Sequence, residues 1–216
     1  MFRSARFWIG LSSVAVFLIL WELSGRLGWV DRLFVSEPGE VVWEGWALVT
    51  NPKFMDHAQT SFVEFVLGTT VAIVAGIPLG LALGRFRLFS QLFEPLVMAF
   101  YTTPRLALLP LFIIWMGIGI NSKAAVVFLG AFFSLVISIS DGIKSVNPLW
   151  VQAARSFGAN EMEIFTKVML PGTLPYLFTG LRLGLGRGLI GVIIAEMYVS
   201  TGGIGYLIMQ TSQSFR

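Results

Sequence analysis

Cysteine is absent from the 216 residues, which excludes disulfides, thiolate metal sites and a cysteine nucleophile. Histidine occurs once, at His57, so a multi-histidine metal centre cannot be assembled. Charge is scarce: Asp, Glu, Lys and Arg make up 12% of the chain, against about 25% in a soluble domain. Hydrophobic residues make up 56%, and the mean hydropathy is +0.79. Those values exclude an ordinary soluble domain. The formal charge of +3 is small and the basic residues are scattered, so nucleic acid is not an expected partner. The chain has no short-period repeat and no low-complexity tract. It also has no G-x-x-x-x-G-K-[ST] phosphate loop, so any ATP hydrolysis would have to belong to another chain. No acid/base or metal constellation of a membrane enzyme stands out either.

What the chain does have is apolar runs of membrane length, since a hydrocarbon core about 30 Å thick needs roughly 20 apolar helical residues. The first covers residues 7–23, after Arg3 and Arg6. Trp21-Glu22-Leu23-Ser24-Gly25-Arg26 is a poor small-x-small cleavage site, so the run reads as an uncleaved span with its N-terminus in the cytoplasm. A polar stretch, residues 24–59, follows and reads as external. Glu37-Pro38-Gly39-Glu40 gives a turn signal there, and Val41, Val42, Trp46 and Val49 line one face of a short amphipathic helix. The second span is uncharged over residues 65–84 and ends at Arg85-Phe86-Arg87, a basic inner loop. A third span, residues 96–117, is broken at Thr103-Pro104-Arg105, because proline removes a helix donor and disfavours helix in the residue before it. Asn121-Ser122-Lys123 makes an outer turn, and residues 124–140 form the fourth span. A polar inner stretch, residues 141–172, leads to the fifth, residues 175–199, while residues 200–216 are too polar to span.

The fold class expected is an all-α polytopic bundle in two parts. Residues 1–59 give the first span and the external segment, and residues 60–216 give the core. Five spans from an inside N-terminus leave the C-terminus outside, and a sixth span is expected beyond Arg216. Small residues recur at every fourth position: Gly68, Ala72, Gly76, Gly80 and Gly84 in span two, and Gly180, Gly184 and Gly188 in span five. Such stripes let another backbone approach closely, either within the chain or at a dimer seam. Span five also carries Arg182, Arg187 and Glu196. At about 2.5–3.5 kcal/mol per central charge, that helix inserts only marginally and should face protein or water rather than lipid. Arg182 sits near the inner end and can snorkel. Arg187 and Glu196 are nine residues apart, about 900° of rotation, so they cannot pair within the helix and each needs another partner. Either they lock span five to its neighbours, or Arg187 or Arg105 lies on an anion pathway.

The inner stretch carries the most specific pattern. Asn147-Pro148 is a helix start, a cap followed by proline at the first helical position. Trp150, Ala153, Ala154 and Phe157 then form an apolar stripe at i, i+3, i+4 and i+7. Gly158 ends that helix. Asn160 and Glu163 form a capping box for a second helix, expected to stop at Leu170-Pro171. Asp141, Glu161 and Glu163 offset Lys144, Arg155 and Lys167, so a DNA-reading helix pair is excluded for want of positive charge. A short helix with an exposed apolar stripe suits a groove on a partner protein. The residues alone leave open a self-contained secondary transporter or channel, with Arg187 and Glu196 as gate or proton relay.

Gln152-Ala153-Ala154, three residues, Gly158, nine residues, then Val168-Met169-Leu170-Pro171 resembles the E-A-A-x3-G-x9-I-x-L-P signature of ABC-importer permeases. Gln152 stands for the usual glutamate and Val168 for isoleucine. Thr103-Pro104-Arg105, Leu109-Pro110-Leu111, Trp115-Met116-Gly117-Ile118-Gly119, Thr179-Gly180-Leu181-Arg182, Ala195-Glu196-Met197 and Gly202-Gly203-Ile204-Gly205-Tyr206 resemble the nitrate/sulfonate/taurine branch, with a pyrimidine-importing variant. The resemblance implies a bacterial inner-membrane permease that binds no cofactor itself. Its expected partners are a cytoplasmic ATPase dimer using ATP and Mg, a second permease copy and an extracytoplasmic substrate-binding protein. It also implies that Trp150, Gln152, Ala153, Ala154, Phe157, Gly158, Leu170 and Pro171 belong to the loop coupling the ATPase to alternating access.

Overall fold

A computed structural model describes residues 2–30 and 35–213, with side chains from residue 7 onward. The side chains of Arg3 and Arg6, and residues 214–216, lie outside it. Every regular element among the described residues is helical. The described residues fall into two compact units, residues 2–30, 35–56 and 211–213, and residues 57–210. In the first unit, α1 (Phe2–Arg26) is followed by α2 (Pro38–Val49). Proline opens α2, where its missing N–H costs nothing. The two helices are stitched by polar contacts: the Trp21 indole donates to the Ser36 carbonyl at 3.0 Å, and the Gly39 N–H to Glu22 Oε2 at 3.0 Å.

The rest of the chain forms α3 (Pro52–Arg85), α4 (Arg87–Thr102), a 3-10 turn (Arg105–Leu108), α5 (Leu109–Met116) and α6 (Ile120–Lys144). Then come α7 (Pro148–Ser156), α8 (Glu161–Ile164), a π turn (Phe165–Met169), α9 (Leu170–Tyr198) and α10 (Ile204–Gln213). Four helical stretches are long and apolar enough to cross a membrane: Phe7–Arg26, Pro52–Arg85, Ile120–Lys144 and Glu161–Tyr198. The pair α4 and 3-10/α5 makes a fifth when counted as one span, bent by 88°. The bend falls at the expected break: Pro104 has no N–H to give, and Thr103 before it adopts extended backbone, φ −66° and ψ 133°.

The centre of the second unit is α6. Ala131, Leu135 and Ile139 on α6 pack against Ala72 on α3, while Val126 packs with Leu109 and Phe112 of α5 and Ala195 of α9. The small-residue stripes supply the close approach. A Cβ at Gly80 would fall 2.9 Å from Ile139 Cβ, and one at Gly84 would fall 2.5 Å from Ile143 Cβ. Gly76 likewise faces Leu135 and Phe132. On α9, Gly180 lies against Ser138, Gly184 against the Ala131 backbone and Gly188 against Val127. Both stripes therefore pack against α6 within this chain, on adjoining faces that share Val127 and Leu135. Gly84→Val should overpack the α3–α6 contact and destabilise the chain by about 1–3 kcal/mol, read as a lower melting midpoint in detergent. Adding Ile143→Ala should recover part of the loss. A Gly84→Val chain that melts with the wild type would contradict the contact.

Several boundaries differ from the sequence expectation, each for a physical reason. The polar stretch 24–59 ends early, because α3 begins at Pro52, again a proline tolerated in a first turn. Arg85-Phe86-Arg87 is not a loop: only Phe86 leaves the helix, with extended backbone, and α4 resumes at Arg87. Asn121-Ser122-Lys123 is not an outer turn but the first turn of α6, and Lys123 is buried. Pro171 does not stop the second inner helix. The π turn just before it widens the hydrogen-bond ladder, so a residue without an N–H is accommodated at the start of α9.

Candidate functional site

Three groups of residues stand out in the second unit, and the first is the α7–α8 corner. Asn147 Oδ1 accepts the Leu149 N–H at 2.9 Å, capping α7 as its side chain predicts. At the other end Gly158 takes φ +82°, and the chain closes with Gly158 N–H to the Arg155 carbonyl and Ala159 N–H to the Ala154 carbonyl. This paired closure needs a left-handed residue, which glycine supplies without strain. Asn160 and Glu163 then exchange side chain-to-backbone bonds at 2.9 and 3.0 Å to start α8. Glu161 binds both Arg155 on α7, at 2.6 Å, and Arg85 at the end of α3, at 3.0 Å. Such exposed pairs add little stability but fix the corner's direction.

The corner presents an unusual surface. Phe157 is 92% exposed, Leu149 67% and Trp150 60%. Gln152 and Ala153 are also exposed, whereas Ala154 is half-buried. The apolar stripe thus comprises Leu149, Trp150, Ala153 and Phe157, with Ala154 turned partly inward. Leu170 and Pro171 stand apart from it, since both are half-buried or exposed at the first turn of α9 rather than on α7.

A second group sits where α4 breaks. Tyr101, Thr103, Arg105, Val126, Arg187 and Ile190 are among the residues lining a cavity of about 330 Å³. Arg187 donates to Ser134 Oγ at 3.1 Å and lays its guanidinium over the Tyr101 ring, 4.8 Å from the centroid. Arg105 reaches toward Gly130, where a Cβ would come within 2.6 Å of its Nη1. No ion pair to a carboxylate is found for either arginine among the described residues. Arg182 is exposed, one and a half turns away on α9.

The third group lies at the end of the bundle opposite α7. Glu196 and Glu64 are completely buried and Lys123 is 4% exposed. Lys123 Nζ lies 2.5 Å from Glu64 Oε1 and donates to Ser200 Oγ at 2.8 Å. Glu196 accepts from the Ser61 hydroxyl at 2.6 Å and from the Gly205 N–H at 2.8 Å. Ser61 in turn accepts the Ile204 N–H, and His57 Nδ1 accepts the Gly203 N–H. The segment Gly202-Gly203-Ile204-Gly205 wraps so tightly over Glu196 that a Cβ at Gly203 would strike its carboxyl. Gly203 also has φ +108°, a conformation that disfavours side chains. The partner that Glu196 needed is therefore a hydroxyl and a backbone N–H, and for Arg187 it is Ser134 and Tyr101.

Sequence reasoning missed Glu64, Ser61, Lys123, Ser200 and His57 as members of this group. A signal was present in charge bookkeeping. Glu64 and Lys123 sit at the same end of two adjacent spans as Glu196, and buried charges require partners.

The profile of the family described as binding-protein-dependent transport system inner membrane component matches residues 72–216. The chain is 32% identical to the taurine transport system permease protein TauC of Escherichia coli K12 over 210 residues, 95% of this chain and 76% of that protein. It is 32% identical to the putative aliphatic sulfonates transport permease protein SsuC of Bacillus subtilis 168 over 94% of this chain and 74% of that one. The formylaminopyrimidine transport permease protein ThiX of Halalkalibacterium halodurans is 30% identical over 92% and 78%. Taken with the apolar spans, the broken helix and the α7–α8 corner, these matches show that the chain belongs to the binding-protein-dependent inner-membrane components, as a multi-pass permease of the ABC importer class.

Proposed function

We propose that this permease couples ATP hydrolysis on a separate cytoplasmic ATPase pair to import of a small anion or related solute of the taurine, sulfonate or nitrate kind. The observation that carries the coupling is the α7 stripe: three large apolar side chains, Leu149, Trp150 and Phe157, held exposed on a short, doubly capped helix. Exposing them to water costs about 1.5–3 kcal/mol each relative to burial, so a partner groove that covers them gains that energy. Chain connections join α7 to α6 on one side and, through α8 and the π turn, to α9 on the other, and α6 and α9 are the central pair of the bundle. A push on α7 is therefore passed to the helices that carry Arg187 and line the cavity. The taurine and aliphatic sulfonate relatives support a solute bearing a sulfonate group, and a second copy of this chain completes the pathway around the α9 surface left exposed here. An extracytoplasmic binding protein delivers the solute to the opposite end, where the Glu196 group holds α3, α6, α9 and α10 together.

The reading requires α7 in the cytoplasm and residue 36 outside. The cysteine-free background makes this direct to test. A Ser36→Cys chain should react with an impermeant thiol reagent in intact cells, and a Ser156→Cys chain only after permeabilisation. The reverse labelling pattern would place α7 out of reach of any ATPase and refute the proposal.

A further inference from the structure

The importer reading leaves open where inside the bundle the solute rests, and one cavity has the chemistry to hold it. Arg105 and Arg187 both line it, and its lining residues include no acidic side chain. Two guanidiniums lining one cavity repel each other, and neither can shed its charge. Arg187 spends one donor on Ser134 and part of its charge on the Tyr101 ring. The Arg105 side chain has no hydrogen bond or ion pair among the described residues, although it is half-buried. Its guanidinium fits beside α6 only because residue 130 has no side chain. The threonines do not compete as donors: Thr102 and Thr103 give their hydroxyl hydrogens to backbone carbonyls of Met98 and Ala99. A guanidinium carries five N–H donors, so most of those on the two arginines are unspent.

Resting on that reading, we propose that this cavity is a transit site for one small monoanionic oxyanion, a sulfonate or nitrate group, bridged by the Arg105 and Arg187 forks. Planar guanidiniums match the paired oxygens of such groups, and one negative charge relieves the repulsion between the two. The cavity, at about 330 Å³, holds a head group with a short chain and little more. Arg187 lies eleven residues before the end of α9, about 16 Å along its axis, so the site sits near the middle of that span. The arginine pair therefore selects charge in the pathway, behind whatever selection a binding protein makes.

The test uses the permease–ATPase complex in nanodiscs without binding protein, at constant ionic strength. The probes are ethanesulfonate and nitrate, with ethylammonium as control, and saturable binding is read by thermal stabilisation. Wild type should bind one or both anions and not the cation. Arg105→Gln and Arg187→Gln should each weaken binding about tenfold or more, the loss expected for a charge-assisted hydrogen bond. Arg105→Lys, which keeps charge without the fork, should fall between wild type and Arg105→Gln, so that a folding defect is told from lost recognition. Equal anion binding in wild type and both Gln variants would overturn the site, as would absence of any saturable response in wild type. Failure of the importer reading shows separately, as failure of the wild-type chain to hold its ATPase.

Discussion

Replacing Lys123 with methionine is expected to destabilise the chain by about 3–5 kcal/mol, the range for removing one partner of a buried ion pair. The side chain is 4% exposed, and its ammonium lies against Glu64, which has no exposure at all. Met keeps the volume and removes only the charge and the bond to Ser200. Two buried carboxyl groups, Glu64 and Glu196, are then left without any cation. The expected result is poor accumulation in the membrane, or a melting midpoint far below wild type in detergent. Adding Glu64→Gln should restore much of the loss, because Glu196 retains Ser61 and the Gly205 N–H. If Lys123→Met and the double variant melt alike, the ion pair is not what holds this end of the bundle.

The other large effect is expected at α7, where fold and function can be separated. Phe157 is 92% exposed, so Phe157→Ala removes almost nothing from the chain's own packing. If the stripe docks into an ATPase groove, loss of an aromatic anchor costs about 2 kcal/mol or more of the interface, roughly thirtyfold in affinity. Ala153→Asp, also at an exposed position, should do the same by carrying an unpaired carboxylate into an apolar contact. Gly158→Val acts differently. Nothing lies within 4 Å of a Cβ there, but φ +82° strains a β-branched residue and shifts the end of the helix. All three variants should insert and lose their ATPase, Phe157→Ala and Ala153→Asp melting close to wild type and Gly158→Val somewhat lower because of the strain.

Much of this was legible in the sequence because it is local. Caps are written in residues two or three apart, and so Asn147, Gly158 and the Asn160–Glu163 box could be placed without a structure. The break at Pro104 follows from one missing N–H. Spans follow from apolar length, although helix ends do not: α3 runs 34 residues, about 51 Å, well beyond its uncharged segment. What stayed hidden is tertiary. A lysine just before an apolar run reads as an interfacial residue along the chain, and only the packing of α3, α6 and α9 turns Lys123 inward. The half-burial of Ala154 has a similar origin, since helical periodicity gives a face but not the neighbours that cover its edge. Continuity through Pro171 depended on a π turn, which propensity rules do not anticipate.

Uptake into proteoliposomes separates movement of solute by ATP hydrolysis coupled through α7 from gradient-driven transport. The chain would be reconstituted with the ATPase and binding protein from its own transport system, and accumulation of the labelled solute followed with and without ATP. Uptake should need ATP and both partners, and should fall at least about thirtyfold with Phe157→Ala when the ATPase is subsaturating. Uptake by the chain alone, driven by an ion gradient and unchanged by Phe157→Ala, would contradict coupling through α7.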